Sequence, residues 1–284
     1  MDTVRLDHRD GGGFARWREE FTARAAARAA AGDPDWARGA RLEPAVVRSI
    51  QRFQVGEDGD GAHLIAAADR AGDPDYAAAV RLFVAEENNH ARLLGRLLAT
   101  AGADTVAAHW SDTVFVRLRR LLGLRAELMT LMVAEVVALH YYRLLAEGCA
   151  DPLAARVAAL ILDDERRHVP FHCQRLRSAF ADTGRAARWA AVAVWWTVLA
   201  GAAVLVSVDH GPALRHLGCR RRDFALEVLR LFAAVTPYAL PAAQRGGKRR
   251  TRSSPARTSP RPSVLDVVTY SDPSGATATV RRRP

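Results

Sequence analysis

The chain repeats itself at an offset of 78 residues, and what repeats is chemistry. Glu57 falls on Glu135, Asp73-Pro74 on Asp151-Pro152, and Glu87-Asn88-Asn89-His90 on Glu165-Arg166-Arg167-His168. The acidic residues that precede each Glu-x-x-His, Glu86 and Asp164, coincide as well. Each half therefore reads as a helix with one glutamate, a short Asp-Pro turn, and a second helix with Glu-x-x-His. The Asp-Pro step is a helix start. Aspartate caps free backbone N–H groups, and proline fits the first helical position, where its missing N–H leaves no bond unmade.

The spacing has a geometric consequence. Residues i and i+3 of a helix project to nearly the same side, so each Glu-x-x-His offers an oxygen and a nitrogen to one point. Glu57 lies 16 residues before Asp73 and Glu87 lies 14 after it, and Glu135 and Glu165 stand likewise about Asp151. In an antiparallel hairpin, positions nearly equidistant from the turn sit at one height. Packing two such hairpins together gathers four carboxylates and two imidazoles in the core. That burial needs compensating positive charge, and two divalent metal ions supply it. From the 11 glutamates and 9 histidines of the chain, chance gives roughly 0.35 Glu-x-x-His tetrads; two are present, at matched positions. Their flanks are apolar: Leu82-Phe83-Val84-Ala85 and Leu160-Ile161-Leu162 precede the tetrads, and Leu131-Met132-Val133-Ala134 precedes Glu135.

Glu, Glu-x-x-His, Glu, Glu-x-x-His on four helices resembles the ligand pattern of the ferritin-like di-iron carboxylate proteins. The resemblance covers about residues 44–181. It implies an all-α fold: a ferritin-like four-helix bundle of two pseudo-repeated hairpins, with extra N- and C-terminal helices. It also implies that Glu57, Glu87 and His90 serve one metal and Glu135, Glu165 and His168 the other, with Glu87 and Glu165 as bridging ligands. The run Asp164-Glu165-Arg166-Arg167-His168 is similar to the Asp-Glu-x-Arg-His motif of bacterial di-iron hydroxylases. There the aspartate orients a ligand histidine from behind, and Glu86 is the matching residue of the first half. The implied cofactor is two iron ions, or an iron–manganese or manganese pair. The implied activity is oxygen-using oxidation of an unknown small molecule, with an unknown reductant. The alternative is ferrous oxidation or peroxide defence without an organic substrate. Storage ferritins usually lack the second histidine, and a typical rubrerythrin needs CxxC pairs that Cys149, Cys173 and Cys219 do not form.

Glu57 stands in Gly56-Glu57-Asp58-Gly59-Asp60-Gly61, a poor helix sequence. A kink is expected there. Asp58 or Asp60 is an alternative ligand, but the repeat offset selects Glu57. Tyr142 lies two turns from Glu135 on one face and is a candidate to touch a ligand. His140 reads as a packed residue, His63 and His172 are weaker candidates, and Cys149 and Cys173 read as packing.

Four segments follow from the composition: an N-terminal helical extension (1–40), the di-metal bundle (41–182), further helices (183–240) and a basic tail (241–284). Helices are expected at 13–31, 44–70, 74–100, 113–148 with a break at Gly123, 152–181, 185–208 and 222–235, with a looser connection at 102–112. The net charge of +10 resides mostly in the tail, where ten basic side chains face two aspartates. The tail reads as disordered and solvated, and the body offers no nucleic-acid signal. Met1 to Phe14 holds three aspartates and no apolar run, unlike a secretory signal, so the cytosol is the expected compartment. Residues 189–208 carry only Thr197 and Ser207 as polar side chains. Arg185 and Arg188 precede this stretch, and Trp189, Trp195 and Trp196 suit a membrane interface. The favoured reading is a helix buried on the bundle or in a homodimer; the alternative is weak membrane association.

Overall fold

The computed structural model describes residues 13–59, 61–107 and 123–241, with residues 270–271 and 277–278 beyond them. Up to residue 241 every described element is helical: α1 (Ala15–Ala31), α2 (Pro44–Glu57), α3 (Ala62–Asp69), α4 (Pro74–Thr100), α5 (Gly123–Gly148), α6 (Pro152–Ala179), α7 (Arg185–Asp209), α8 (Gly211–His216) and α9 (Arg221–Ala239), with a 3-10 turn at Trp36–Arg38. Residues Met1–Ala243 form one compact unit, so the three body segments read from composition make a single unit. Gln244–Pro284 is a second unit, in which Tyr270–Ser271 pairs antiparallel with Thr277–Ala278. The rest of the basic tail, the end of the expected 102–112 connection and the expected helical residues 113–122 lie outside the described residues.

The two Asp-Pro steps do the same local work. The Asp73 carboxylate accepts from Tyr76 N at 3.0 Å, and the Asp151 carboxylate accepts from Leu153 N at 3.0 Å and Ala154 N at 2.9 Å. Each cap replaces an N–H partner that a helix start lacks and fixes where the hairpin turns. Helices α2 and α3 pack back on α4, and α5 packs along the length of α6. The hairpins join through α4 on α6 and α3 on α5. Helix α1 lies on α4, and α9 packs on α6, α5 and α7. One apolar cluster runs through all of this. Phe21 of α1, Phe83 of α4 and Phe171 of α6 meet in it, the rings of Phe21 and Phe171 edge to face at 5.3 Å.

The expected continuous helix 44–70 is two helices. Helix α2 ends at Glu57, Asp58 turns to extended backbone, and Gly61 adopts φ +59° before α3 begins. Gly61 also lies close to α4: a Cβ there would stand 2.6 Å from both methyls of Val84. Three glycines and two aspartates in residues 56–61 weaken the helix, and glycine at 61 allows both the left-handed turn and the close approach to α4. Helix α9 extends beyond the expected 222–235, and the short α8 was not expected from the sequence.

Helix α7 presents two different faces. Trp195, Leu199, Ala202, Ala203 and Ser207 are buried on the body, and the Trp195 indole donates to Met129 O at 2.7 Å. Trp195 is thus a core residue, as the buried reading of the helix has it and not as the membrane alternative does. Trp189, Val194, Val204 and Val208 stay exposed.

Replacing Gly61 by alanine is expected to lower stability by about 2–3 kcal/mol, because both the positive φ and the contact with Val84 oppose a Cβ. Urea unfolding followed by circular dichroism measures this. A change below about 0.5 kcal/mol would show that α3 and α4 separate without loss.

Candidate metal centre

The six repeated residues meet at one place in the core. Ligand-capable atoms of Glu57, Glu87, His90 and Glu165 lie within 4.8 Å of one another, and so do those of Glu87, Glu135, Glu165 and His168. Glu87 and Glu165 belong to both groups, so the two groups share an edge made of two carboxylates. Each helix contributes as its register requires: Glu57 from the end of α2, Glu87 and His90 from mid-α4, Glu135 from mid-α5, Glu165 and His168 from mid-α6. Asp58 is exposed, and Asp60 lies outside the described residues.

Both imidazoles turn the same atom inward. His90 Nδ1 lies 3.7 Å from Glu57 and Glu87 and 3.6 Å from Glu165. His168 Nδ1 lies 3.1 Å from Glu87, 3.3 Å from Glu135 and 3.7 Å from Glu165. The outward nitrogens are held by acids, and the pairing is crossed. His90 Nε2 is 3.3 Å from Asp164, and His168 Nε2 is 3.1 Å from Glu86. Each histidine thus depends on the acid that precedes the ligand glutamate of the opposite hairpin. A proton on Nε2 that donates to these acids leaves the Nδ1 lone pair for a metal.

A second layer of charge holds the acids. Arg28 of α1 donates to Glu86 and also reaches Asp164 at 3.3 Å. Arg167 donates to Asp164, and Arg24 lies 3.6 Å from it. Helix α1 is therefore part of the centre, not an appendage. The Trp17 indole docks it on α6 by donating to Gln174 at 2.7 Å, and Phe21 lies against the His168 ring. On the other side the Tyr142 hydroxyl donates to Glu57 at 2.6 Å.

The titration behaviour follows from this layout. Burial pushes Glu87 and Glu165 up to about 8, reinforced by the neighbouring charges of Glu57 and Glu135 respectively. Burial and the charge of Glu87 also raise Glu135. Glu57 moves the other way: burial opposes its ionisation, but His90 and Tyr142 hold it below the usual carboxylate value. Burial likewise disfavours charge on His90, yet Asp164 and Glu57 keep its pKa well above that of free imidazole. His168 is held up in the same way by Glu135, Glu165 and Glu86. Glu86 and Asp164 are both depressed against their burial, by His168 and by His90 respectively.

The donor set fits a metal pair. Glu87 Oε1, His90 Nδ1, Glu135 Oε2, Glu165 Oε2 and His168 Nδ1 are all buried without a hydrogen-bond partner, and all belong to the two groups. Carboxylate oxygens and imidazole nitrogens that converge on one point are the donor types a divalent cation takes. The buried Glu/His groups can hold metal ions. Glu87 has the most exposed side chain of the six, at 19%, so solvent reaches the cluster beside it.

Three features escape the sequence reading. Arg28 gives no local signal, since its partners lie 58 and 136 residues away. The crossing of the acid–histidine pairs is invisible, because the repeat suggests pairing within a half. His172, fully buried with its Nε2 3.7 Å from Glu135, lies much closer to the centre than expected. Its position one turn beyond His168 on the same face is the signal that could have found it. Burial and the nearby charge of His168 push its pKa down to about 3, so it is neutral. His140 packs against Phe224, and burial lowers its pKa to about 4. Cys173 is buried, and all three cysteines are free thiols. No protein-family model and no curated protein matches the chain.

Two outcomes are expected. Arg28→Ala should weaken divalent-metal affinity by about 10- to 100-fold, as loss of a group behind the ligands does elsewhere; competition against a chelator measures it. Metal affinity should also rise with pH through about 8, where the Glu87 and Glu165 carboxyls give up their protons, with His90 and His168, also held protonated, adding to the rise. The sign is fixed because the metal binds carboxylates and the metal-free cluster holds the protons. Mn²⁺ titration calorimetry in two buffers of different ionisation enthalpy should show proton release at pH 7. A pH-independent affinity would mean that these carboxylates are already ionised.

Proposed function

We propose that the protein is a ferritin-like di-metal oxidoreductase, with two iron ions (or iron and manganese, or manganese) held by Glu57, Glu87, His90, Glu135, Glu165 and His168. The observation that carries this reading is the set of five buried donor atoms, without hydrogen-bond partners, that face one another across two matched hairpins. Acids of the opposite hairpin take the outward Nε2 atoms, so the inward Nδ1 atoms are the ones turned to the cluster.

Such a pair supplies electrons to molecular oxygen when it is bound in the ferrous state. The chain's own part is to position and to insulate. Glu87 and Glu165 belong to both donor groups and would be shared between the two ions. Asp164 and Glu86 fix the ring orientation of His90 and His168. Tyr142 donates to Glu57 and limits its swing. Phe21, Phe83 and Phe171 exclude water from the His168 side, while the partly exposed Glu87 marks the side from which small molecules arrive. The apolar surroundings of the cluster fit a small apolar substrate. Ferrous oxidation or peroxide removal without an organic substrate is the second reading, and the four-carboxylate, two-histidine donor set serves it equally.

Anaerobic ferrous loading followed by metal analysis should give about two irons per chain, and the Glu165→Ala, His168→Ala double variant should retain less than about a tenth of that. Oxygen uptake by the loaded protein, with and without candidate reductants, separates the two readings. Wild-type protein that takes up no iron would overturn both.

A further inference from the structure

The exposed face of α7 contributes nothing to the metal cluster, and its chemistry is of another kind. The helix holds a window of mean hydropathy 2.1 of which only 28% is buried. Val194, Thr197, Gly201, Val204 and Val208 recur on its outer side at steps of four and three, and all are exposed. Val194, Val204 and Val208 are 62%, 59% and 56% exposed, and Trp189 at the N-terminal end is 73% exposed. The 25 residues of α7 extend about 37 Å. From Trp189 to Val208 the stripe runs about 28 Å, and a row of that length on one exposed helix exceeds the scattered apolar residues of an ordinary surface. Because the opposite side of α7 is packed on α5 and α9, the helix cannot cross a bilayer without unpacking the body. It can lie in one.

Charge decides between a bilayer and a second copy of the chain. Residues 183–241 carry seven arginines against three acidic residues. Arg185 and Arg220 to Arg222 are exposed. Arg188, one residue before Trp189, donates to Pro241 O at 2.6 Å. The chain beyond that anchored residue carries ten basic side chains and two acidic ones. Two copies of the chain, each with a net charge of +10, repel one another. An anionic surface would neutralise that charge while taking up the apolar stripe, and Trp189 is the side chain that favours the boundary between the two.

We propose that the protein docks reversibly on anionic phospholipid surfaces, the exposed face of α7 lying in the headgroup boundary and the arginines of 185–222 and of the tail supplying electrostatic attraction. This docking does not depend on the metal reading, and its test does not involve metal.

Flotation of the full-length protein with vesicles tests it. The protein should float with phosphatidylcholine–phosphatidylserine vesicles (roughly 7:3) and stay unbound with phosphatidylcholine alone. The V194D/V204D double variant alters only exposed positions; circular dichroism should show wild-type helix content, and flotation should be lost. A full-length Lys248→Gln, Arg249→Gln, Arg250→Gln, Arg252→Gln variant should bind roughly 10²-fold or more weakly, and raised salt should have the same effect on the wild type. Three outcomes would overturn the proposal. One is wild-type protein that ignores both vesicle types. Another is undiminished binding by the aspartate variant, which would leave the tail alone responsible. The third is a wild-type dimer in sedimentation that the aspartate variant dissociates, without lipid binding, which would make the face a contact between copies.

Discussion

Four carboxylates that face one point in an apolar core repel one another, and the inner part of this protein is arranged around that repulsion. Glu57, Glu87, Glu135 and Glu165 cannot all be ionised there without cations between them. The protein's own answer is layered. Two imidazoles stand among the carboxylates, two further acids stand behind the imidazoles, and Arg28, Arg24 and Arg167 stand behind those acids. Sign alternates outward from the centre, so each layer is stabilised by the next. The innermost layer is the exception, where one oxygen each of Glu87, Glu135 and Glu165 is buried without a hydrogen bond. Buried Glu and His groups so placed could hold a metal ion.

The crossing of the acid–histidine pairs gives this layering a structural consequence. Asp164 belongs to the α5–α6 hairpin and orients His90 of the other hairpin, while Glu86 does the converse for His168. Neither hairpin holds its own imidazole. Arg28 then ties both acids to α1, which itself is fixed by Trp17 and Phe21 on α6. Three chain segments remote in sequence are thus locked by one set of ion pairs. Because these pairs are largely buried, removal of any one member leaves an uncompensated charge, and the lock is correspondingly cooperative.

Much of this was legible in the sequence because the repeat encodes it locally. The Asp-Pro caps are read from adjacent residues, and the cluster follows from helical spacing plus matched distances to the turn. The helices themselves follow from alanine, leucine and arginine in amphipathic order. What was hidden depends on how segments meet. Arg28 looks like any solvated arginine of an amphipathic helix until α1 is placed on α4. The break after Glu57 was anticipated as a kink, but the requirement for glycine at 61 comes partly from Val84 of a different helix, which leaves no room for a Cβ. His172 reads as one more histidine on a helix, and only packing puts it beside Glu135. The two faces of α7 are equally apolar in sequence, so which one the body covers could not be read from composition.

The break at Glu57 also makes the two halves mechanically unequal. Glu135 sits within α5, with full helical turns on either side, so its backbone is fixed by hydrogen bonds in both directions. Glu57 is the last residue of α2 and is followed by non-helical backbone; its side chain is steadied by Tyr142 instead. The 78-residue repeat thus doubles the donor types without doubling their stiffness. One coordination position has a rigid wall, and the other has a wall that can yield. Any rearrangement of the cluster's side chains would be absorbed on the α2 side while the α5 side keeps the frame of reference.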